Sequence, residues 1–448
     1  MTQRALARRL VPLAAAAAFA LALAAVVVSR AGWFHRFEVD GVKINPRAPV
    51  RDDVTYDLVV WEEAVVAPWA KETHAEHLER AVLEFSRQRP NVRVTVQMLD
   101  EETARERLEA AVAAGAPPDV YGAVKGVLWA WPYQVPASPY MPVDQGAEPL
   151  PVDPRALAGL TAAGAVWGWP RGLWWDGWLG RRELAISDDW TYGSLLQGGT
   201  GPSSSDRITV SLDLTSVQLL EQLMGAAGTP SYVDGHGQGA WDRSGLAETA
   251  AFLRSLQQSR GPGGDMDAAA RRRLENLLAG DVDLIGPVNP YAVQSALRHA
   301  PDRLIIVPPP GRPGSPPAWP VAVSGYFVFR QHDYKGDDHT RLAAELAAFL
   351  AKKTETWLVE SVGLLPVSAE GRDVWRERAP WDAANRDVLA AAAEHAVVAP
   401  PWAAQVPVDS IRSAPVPPWR AFIAGDTTPE RFAEDAIRAI QRALSAGR

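Results

Sequence analysis

Residues 78–120 alternate between a helical and a strand period within little more than forty positions, and that alternation restricts the fold more than any other feature. Leu78, Ala81, Val82 and Phe85 stand at i, i+3, i+4 and i+7, the spacing that lines one face of a helix. Pro90 ends that helix. Val92, Val94 and Val96 then alternate with Arg93, Thr95 and Gln97, a β-branched residue at every second position, which predicts a strand. Leu108, Ala111 and Val112 restore helical spacing, and Gly115 supplies a left-handed C-terminal residue. Pro117 and Pro118 bar further helix, so Asp119, Val120 and Tyr121 begin another strand. Upstream, Tyr56-Asp57-Leu58-Val59-Val60-Trp61 is short and apolar enough for a strand covered on both faces by crossover helices. The series β-α-β-α-β is a doubly wound unit of an α/β protein.

Composition bounds what such a unit can belong to. With 448 residues, 47 % of them hydrophobic, the chain can bury cores for two domains. A net charge of −8 supplies no general basic field for nucleic acid. The absence of cysteine excludes disulfides, thiolate metal sites, cysteine nucleophiles and acylation of an N-terminal cysteine. Tryptophan is abundant, 18 residues, and its rings suit both cores and flat apolar ligand faces. His74 and His77 are three apart on a helix with no evident third ligand, which predicts surface residues rather than a metal site. The glycine-rich stretch at 235–239 fits neither the dinucleotide fingerprint nor a P-loop, so no cofactor is expected.

Arg4, Arg8 and Arg9 precede an uncharged run at 10–28, about nineteen residues and roughly 28 Å long as a helix. Residues 1–31 are therefore a signal peptide or a membrane anchor. The length favours an anchor, while Ser29-Arg30-Ala31 offers a cleavage site. In either case the positive charges keep the N-terminus inside, so the bulk of the chain lies beyond the cytoplasmic membrane. Residues 32–53, with Pro46 and Pro49 and no periodicity, are expected to form a tether.

Leu58-Val59-Val60-Trp61, the helix sequence AVLEFSRQRP, the strand NVRVTV and Gly115-Ala116-Pro117-Pro118-Asp119-Val120 together resemble one family. It is the extracellular solute-binding proteins of bacterial ATP-binding-cassette importers, in the sugar-binding branch that includes maltose-binding protein. The resemblance implies a periplasmic-binding-protein-like fold of two α/β lobes joined by three crossings and preceded by the N-terminal hydrophobic helix. The first lobe is expected to comprise 54–168 plus 312–364, and the second 171–308 plus 367–448. The crossings fall at Trp167 through Asp176, at 309–320, and at Gly363-Leu364-Leu365-Pro366-Val367, which is similar to the family's Gly-x-Leu-Pro-Val turn. Relatives carry Tyr-Asn where this chain has Trp175-Asp176, and an aromatic residue where it has Val288, with Tyr291 close enough to replace it. The implied partners are a small solute, most naturally a carbohydrate, and a membrane permease with its ATPase. The implied protein is a monomer without catalytic residues.

Three crossings make a hinge, and a solute that touches both lobes closes it. Residues just after strand ends of a doubly wound lobe face the crevice, which nominates Trp61, Glu62, Glu63 and Trp69, then Asp100 and Glu101, then Trp129 and Trp131. The first crossing adds Trp174, Trp175 and Asp176, the second lobe adds Tyr291, and resemblance alone adds Trp419. Rings stack on the C–H faces of a sugar, and carboxylates accept its hydroxyls. Two other readings remain open: an exported carbohydrate-active enzyme, which would need two carboxylates flanking the scissile bond, and an anchored sensory or scaffold form that has lost the solute.

Overall fold

The computed structural model describes residues 36–124, 132–141, 152–162, 164–184, 190–197, 208–212, 217–226, 241–259, 270–312, 318–398, 411 and 413–446. The N-terminal hydrophobic run and Trp129 and Trp131 lie outside them. Among the described residues no helix is long and apolar enough to cross a membrane.

A hairpin of β1 (Phe37–Val39) and β2 (Val42–Ile44) comes first. It turns at Asp40 and Gly41, both at positive φ (44° and 77°), the conformation for which an Asp-Gly pair is suited. Ile44 is fully buried, and the carbonyls of Val39 and Asp40 accept from Arg330. The tether expected at 32–53 is thus docked from residue 37 onward, because a Val/Ile pair too short to show a period still supplies apolar surface to the core.

β3 (Tyr56–Glu63), α1 (His74–Gln88), β4 (Val92–Leu99), α2 (Glu101–Ala113) and β5 (Val120–Ala123) follow in the order the hydrophobic periods predict. β3 runs parallel to both β4 and β5, the pairing that helical crossovers permit. α1 begins with a capping box: Thr73 Oγ1 accepts from the Glu76 N–H at 3.2 Å, and the Glu76 carboxylate accepts from the Thr73 N–H at 2.7 Å. Its buried face carries Leu78, Ala81, Val82 and Phe85, and also His74 and His77. The two histidines are therefore not surface residues.

Next come β6 (Gln134–Val135), α3 (Pro154–Ala158), the small hairpin β7 (Thr161–Ala162) and β8 (Ala165–Val166), then β9 (Trp169–Trp175) and β10 (Gly177–Arg181). They are followed by α4 (Tyr192–Gln197), β11 (Val210–Leu212), α5 (Val217–Ala226), α6 (Arg243–Ser259), α7 (Ala270–Ala279), β12 (Leu284–Val288), α8 (Pro290–His299) and β13 (Leu304–Val307). β14 (Trp319–Phe329), α9 (Asp337–Ser361), α10 (Ala369–Arg378), α11 (Ala383–Glu394), β15 (Ala396–Val398), α12 (Val416–Ala424) and α13 (Pro429–Ala446) complete the chain.

The strands form two main sheets. The larger has the order β15-β14-β5-β3-β4, with β6 and β9 also bonded to β14, and the smaller has the order β11-β12-β10-β13. The chain passes between them at Asp176, where β9 of one sheet gives way to β10 of the other, and again between β13 and β14. β15 runs parallel to the start of β14, pairing Ala396 with Trp319, so a strand from the 367–448 segment belongs to the large sheet. Leu58, Val60, Leu78, Phe85, Val120, Tyr326, Leu342 and Leu346 make one core between the large sheet, α1 and α9. A second core, with Trp178, Leu223, Leu246, Trp419, Phe422 and Phe432, covers the small sheet. The apolar face of α13, made of Phe432, Ala436, Ile440 and Leu444, is buried there, and Thr428 Oγ1 accepts from the Arg431 N–H.

Candidate functional site

At the carboxyl end of β3 the chain carries two adjacent glutamates. Successive side chains of a strand point to opposite faces, so Glu62 and Glu63 enter different surroundings. Glu62 is completely buried and accepts from Arg171 Nη1 at 2.6 Å. Arg171, equally buried on β9, donates its Nε–H to Ser324 Oγ at 2.9 Å and lies 4.6 Å over the Tyr326 ring. A Cβ at Gly122 would come within 1.9 Å of Glu62 Oε2, so only glycine leaves room for this carboxylate. Burial pushes the Glu62 pKa up, against the opposing pull of Arg171. His74 accepts the Val65 N–H at Nδ1, which leaves the proton on Nε2, 3.5 Å from Glu62. Burial, with Arg171 and His77 nearby, holds its pKa well below the ordinary value, so it is a neutral spacer. Glu63 accepts from the Tyr121 hydroxyl at 2.6 Å and the Val124 N–H at 2.7 Å, and burial raises its pKa to about 7.

Beyond the strand ends an apolar cluster of Val65, Val124, Trp174, Trp357, Leu358, Val362 and Leu364 closes over this network. A cavity of about 440 Å³ opens past it, between the loop that leads into α1 and the ends of α8, α9 and α10. Trp69, Lys71, Arg298, Trp357, Glu360 and Arg378 are on its wall. Trp69 ties these segments together. Its indole N–H donates to the Ser361 carbonyl at 2.8 Å, its ring stacks on Tyr291 with centroids 5.1 Å apart at 28°, and the Arg298 guanidinium sits 5.4 Å from the ring. Tyr291 and Arg298 are on α8, which follows β12 of the small sheet, whereas Trp69 follows β3 of the large one. The contact therefore joins the bodies built on the two sheets. Among the described residues no cluster of three or more His, Asp or Glu is placed to hold a metal ion.

The sequence matches no protein-family model and no curated protein. Solved structures match over nearly their whole length. The sugar-binding protein MalE of Xanthomonas citri is 18 % identical with a TM-score of 0.66, covering 87 % of this chain and 98 % of its own. An ABC substrate-binding protein of Listeria monocytogenes in complex with cycloalternan is 15 % identical with a TM-score of 0.63, covering 88 % and 100 %. The maltose/maltodextrin-binding domain MalE of Bdellovibrio bacteriovorus, bound to maltotriose, is 17 % identical with a TM-score of 0.59, covering 87 % and 100 %. The fold is that of an ABC sugar-binding protein.

On this sugar-binding-protein fold the nominated residues divide sharply. Trp69 and Tyr291 are brought together at the cavity. Trp61 is half-buried within β3 rather than after it, with Arg107 5.6 Å from its ring, and Glu62 is sealed in its ion pair, because the strand continues through Glu63. Trp174 is buried in the apolar cluster and donates its indole N–H to Asp176 Oδ1 at 3.2 Å. Trp175 has no exposed surface: it donates to the Gly363 carbonyl at 3.0 Å and meets Trp319 and Trp381 edge-to-face at 5.6 and 6.0 Å. Asp176 is half-buried at the sheet junction, its carbonyl accepting from Gln222 and Trp319. Trp419 is fully buried between Phe422 and Phe432, which corrects its expected stacking on ligand: α12 turns the ring into the core of the small sheet. Trp129 lies outside the described residues. Lys71, Arg298, Glu360 and Arg378 were not foreseen. They stand on a loop and at helix ends, where exposed charge carries no sequence signal of a site.

Proposed function

We propose that this protein is an extracytoplasmic solute-binding receptor that closes on a small carbohydrate between its two sheet-centred bodies and delivers it to the permease of an ATP-binding-cassette importer. The observation that carries the reading is the Trp69–Tyr291 stack beside a cavity of about 440 Å³, within the roughly 300–1,000 Å³ usual for small-molecule sites. In this reading the bodies follow the two-lobe division at 54–168 plus 312–364 and 171–308 plus 367–448, with β15 as an exchange back to the first lobe. The passages at Asp176, at 309–320 and near Gly363 serve as the hinge, and residues 1–31 hold or export the chain. Glu62 and Glu63 support a binding rather than a hydrolytic role. They point to opposite sides of one strand, and Glu62 is committed to Arg171, so they cannot flank a glycosidic bond.

Calorimetric titration of the purified full-length chain in detergent with maltotriose, xylotriose and matched acidic sugars tests the proposal. Saturable binding with a raised melting temperature is expected, since ligand at a hundredfold over its Kd adds about 2.7 kcal/mol of stability. Absence of binding across the panel would instead favour the scaffold reading. That reading has one observation of its own: the strand-end positions Val65 and Val124 are filled by the apolar cluster.

A further inference from the structure

We propose that the solute carries negative charge, so that the cavity beside Trp69 takes an anionic saccharide rather than a neutral one. This rests on the receptor reading above and narrows it. Five charged side chains line the cavity: Lys71, Glu72, Arg298, Glu360 and Arg378. Both carboxylates are already engaged. Glu72 is held by His77 at 2.8 Å and by Arg80, and Glu360 lies 3.5 Å from Arg378. Among the described residues no carboxylate stands within ion-pair distance of Lys71 or Arg298. Arg298 instead lies over the Trp69 ring, 5.4 Å from its centroid, and its N–H groups make no hydrogen bond among the described residues, so they can meet a planar anion.

The other carboxylates nominated to accept a neutral sugar's hydroxyls are not on this wall. Glu62 is sealed in the large-sheet core against Arg171, and Asp176 Oδ1 accepts the Trp174 indole N–H at the sheet junction. The wall thus offers donors and positive charge next to two indole rings, Trp69 and Trp357. That combination suits a ring with apolar C–H faces bearing a carboxylate or a phosphate.

The test titrates the full-length chain in detergent at low salt with digalacturonate, glucose 6-phosphate and, as the uncharged control, maltose. An anionic sugar should bind about tenfold or more tighter than maltose, and its affinity should fall as sodium chloride is raised. Binding of digalacturonate alone assigns a carboxylate, and binding of the phosphate ester alone assigns a phosphate. Lys71→Gln and Arg298→Gln should each weaken the anionic ligand several-fold and weaken maltose by a smaller factor. Both side chains are exposed, so the melting temperatures should not move. Maltose binding as tightly as the charged sugars, or variants without effect on them, would overturn the proposal while leaving the receptor reading intact. Failure of every sugar, charged or not, would overturn both.

Discussion

Trp175 and Trp69 each donate an indole N–H to a backbone carbonyl of the same short segment at the end of α9, Gly363 for one and Ser361 for the other. Around that shared anchor their surroundings are opposite. Trp175 extends β9 into the interior, where Trp319 and Trp381 meet it edge-to-face and no surface remains exposed. Trp69 stands on a loop, half-buried, with its ring against a residue of the other sheet's body and a cavity beside it. A tryptophan beside a polar neighbour reads the same way in either place along the sequence. What separates a platform from a core residue is whether packed neighbours enclose the ring completely or leave it beside an open cavity.

The interior side of this contrast has the largest stakes. Arg171→Met should cost about 3–5 kcal/mol, because it leaves Glu62 buried without its counter-charge. Adding Glu62→Leu should restore most of the loss, since the pair together contributes little net stability. Urea unfolding of both variants checks this, and a single variant as stable as the double would break the account of a sealed pair. Trp175→Ala belongs to the same class: about 3–5 kcal/mol of stability lost, with solute affinity of the folded fraction unchanged. A thermal melt and a titration of the same sample separate the two quantities, and an affinity loss without a stability loss would return Trp175 to the binding surface.

Glu63 gives the next effect, and its sign follows from protons. The folded chain holds the proton up to about pH 7, whereas the unfolded carboxyl releases it near its ordinary 4.5. Between those values the folded state binds more protons than the unfolded state, so stability falls as pH rises from 4.5 to 7 and levels off above. The fall should reach about 3 kcal/mol at most. Glu63→Gln keeps an acceptor for the Val124 N–H and removes the titration. Unfolding free energies measured across this range should lose that component of slope in the variant. An unchanged slope would mean that Glu63 is ionised in the fold.

Much of the large sheet was legible because parallel strands and crossover helices have long apolar periods: residues 56–123 form the elements their periods predict. The hairpin at 37–44 was not, since three-residue strands carry no period. Nor was the burial of His74, which depends on an Arg171–Glu62 pair 109 positions apart in sequence. At the site, Trp69 and Tyr291 were nominated separately, by strand-end position and by proximity to Val288. No local pattern reports that the two rings meet, because the contact exists only when elements of both sheets are in place. Trp419 was nominated by resemblance, and only the packing of α12 on α13 decides which way its ring turns.

The smallest effect sharpens the exposed side. Tyr291→Ala removes a stacking partner that does not line the cavity, whereas Trp69→Ala removes the partner, a wall of the cavity and the hydrogen bond to Ser361. An aromatic pair is worth roughly 0.5–1.5 kcal/mol beyond its buried area, and both rings are only half-buried, so neither variant should unfold the chain. If closure across the gap contributes to binding, Tyr291→Ala should weaken solute affinity by roughly two- to tenfold, because the stack stabilises the closed arrangement alone. Trp69→Ala should weaken it further, by the added loss of contact with the solute. Titration of the pair beside small-angle scattering distinguishes the cases. A loss in Trp69→Ala without one in Tyr291→Ala would make the ring a platform with no part in closure. No loss in either would move the solute away from this cavity and leave the two tryptophans alike after all, as structural residues on opposite sides of one carbonyl segment.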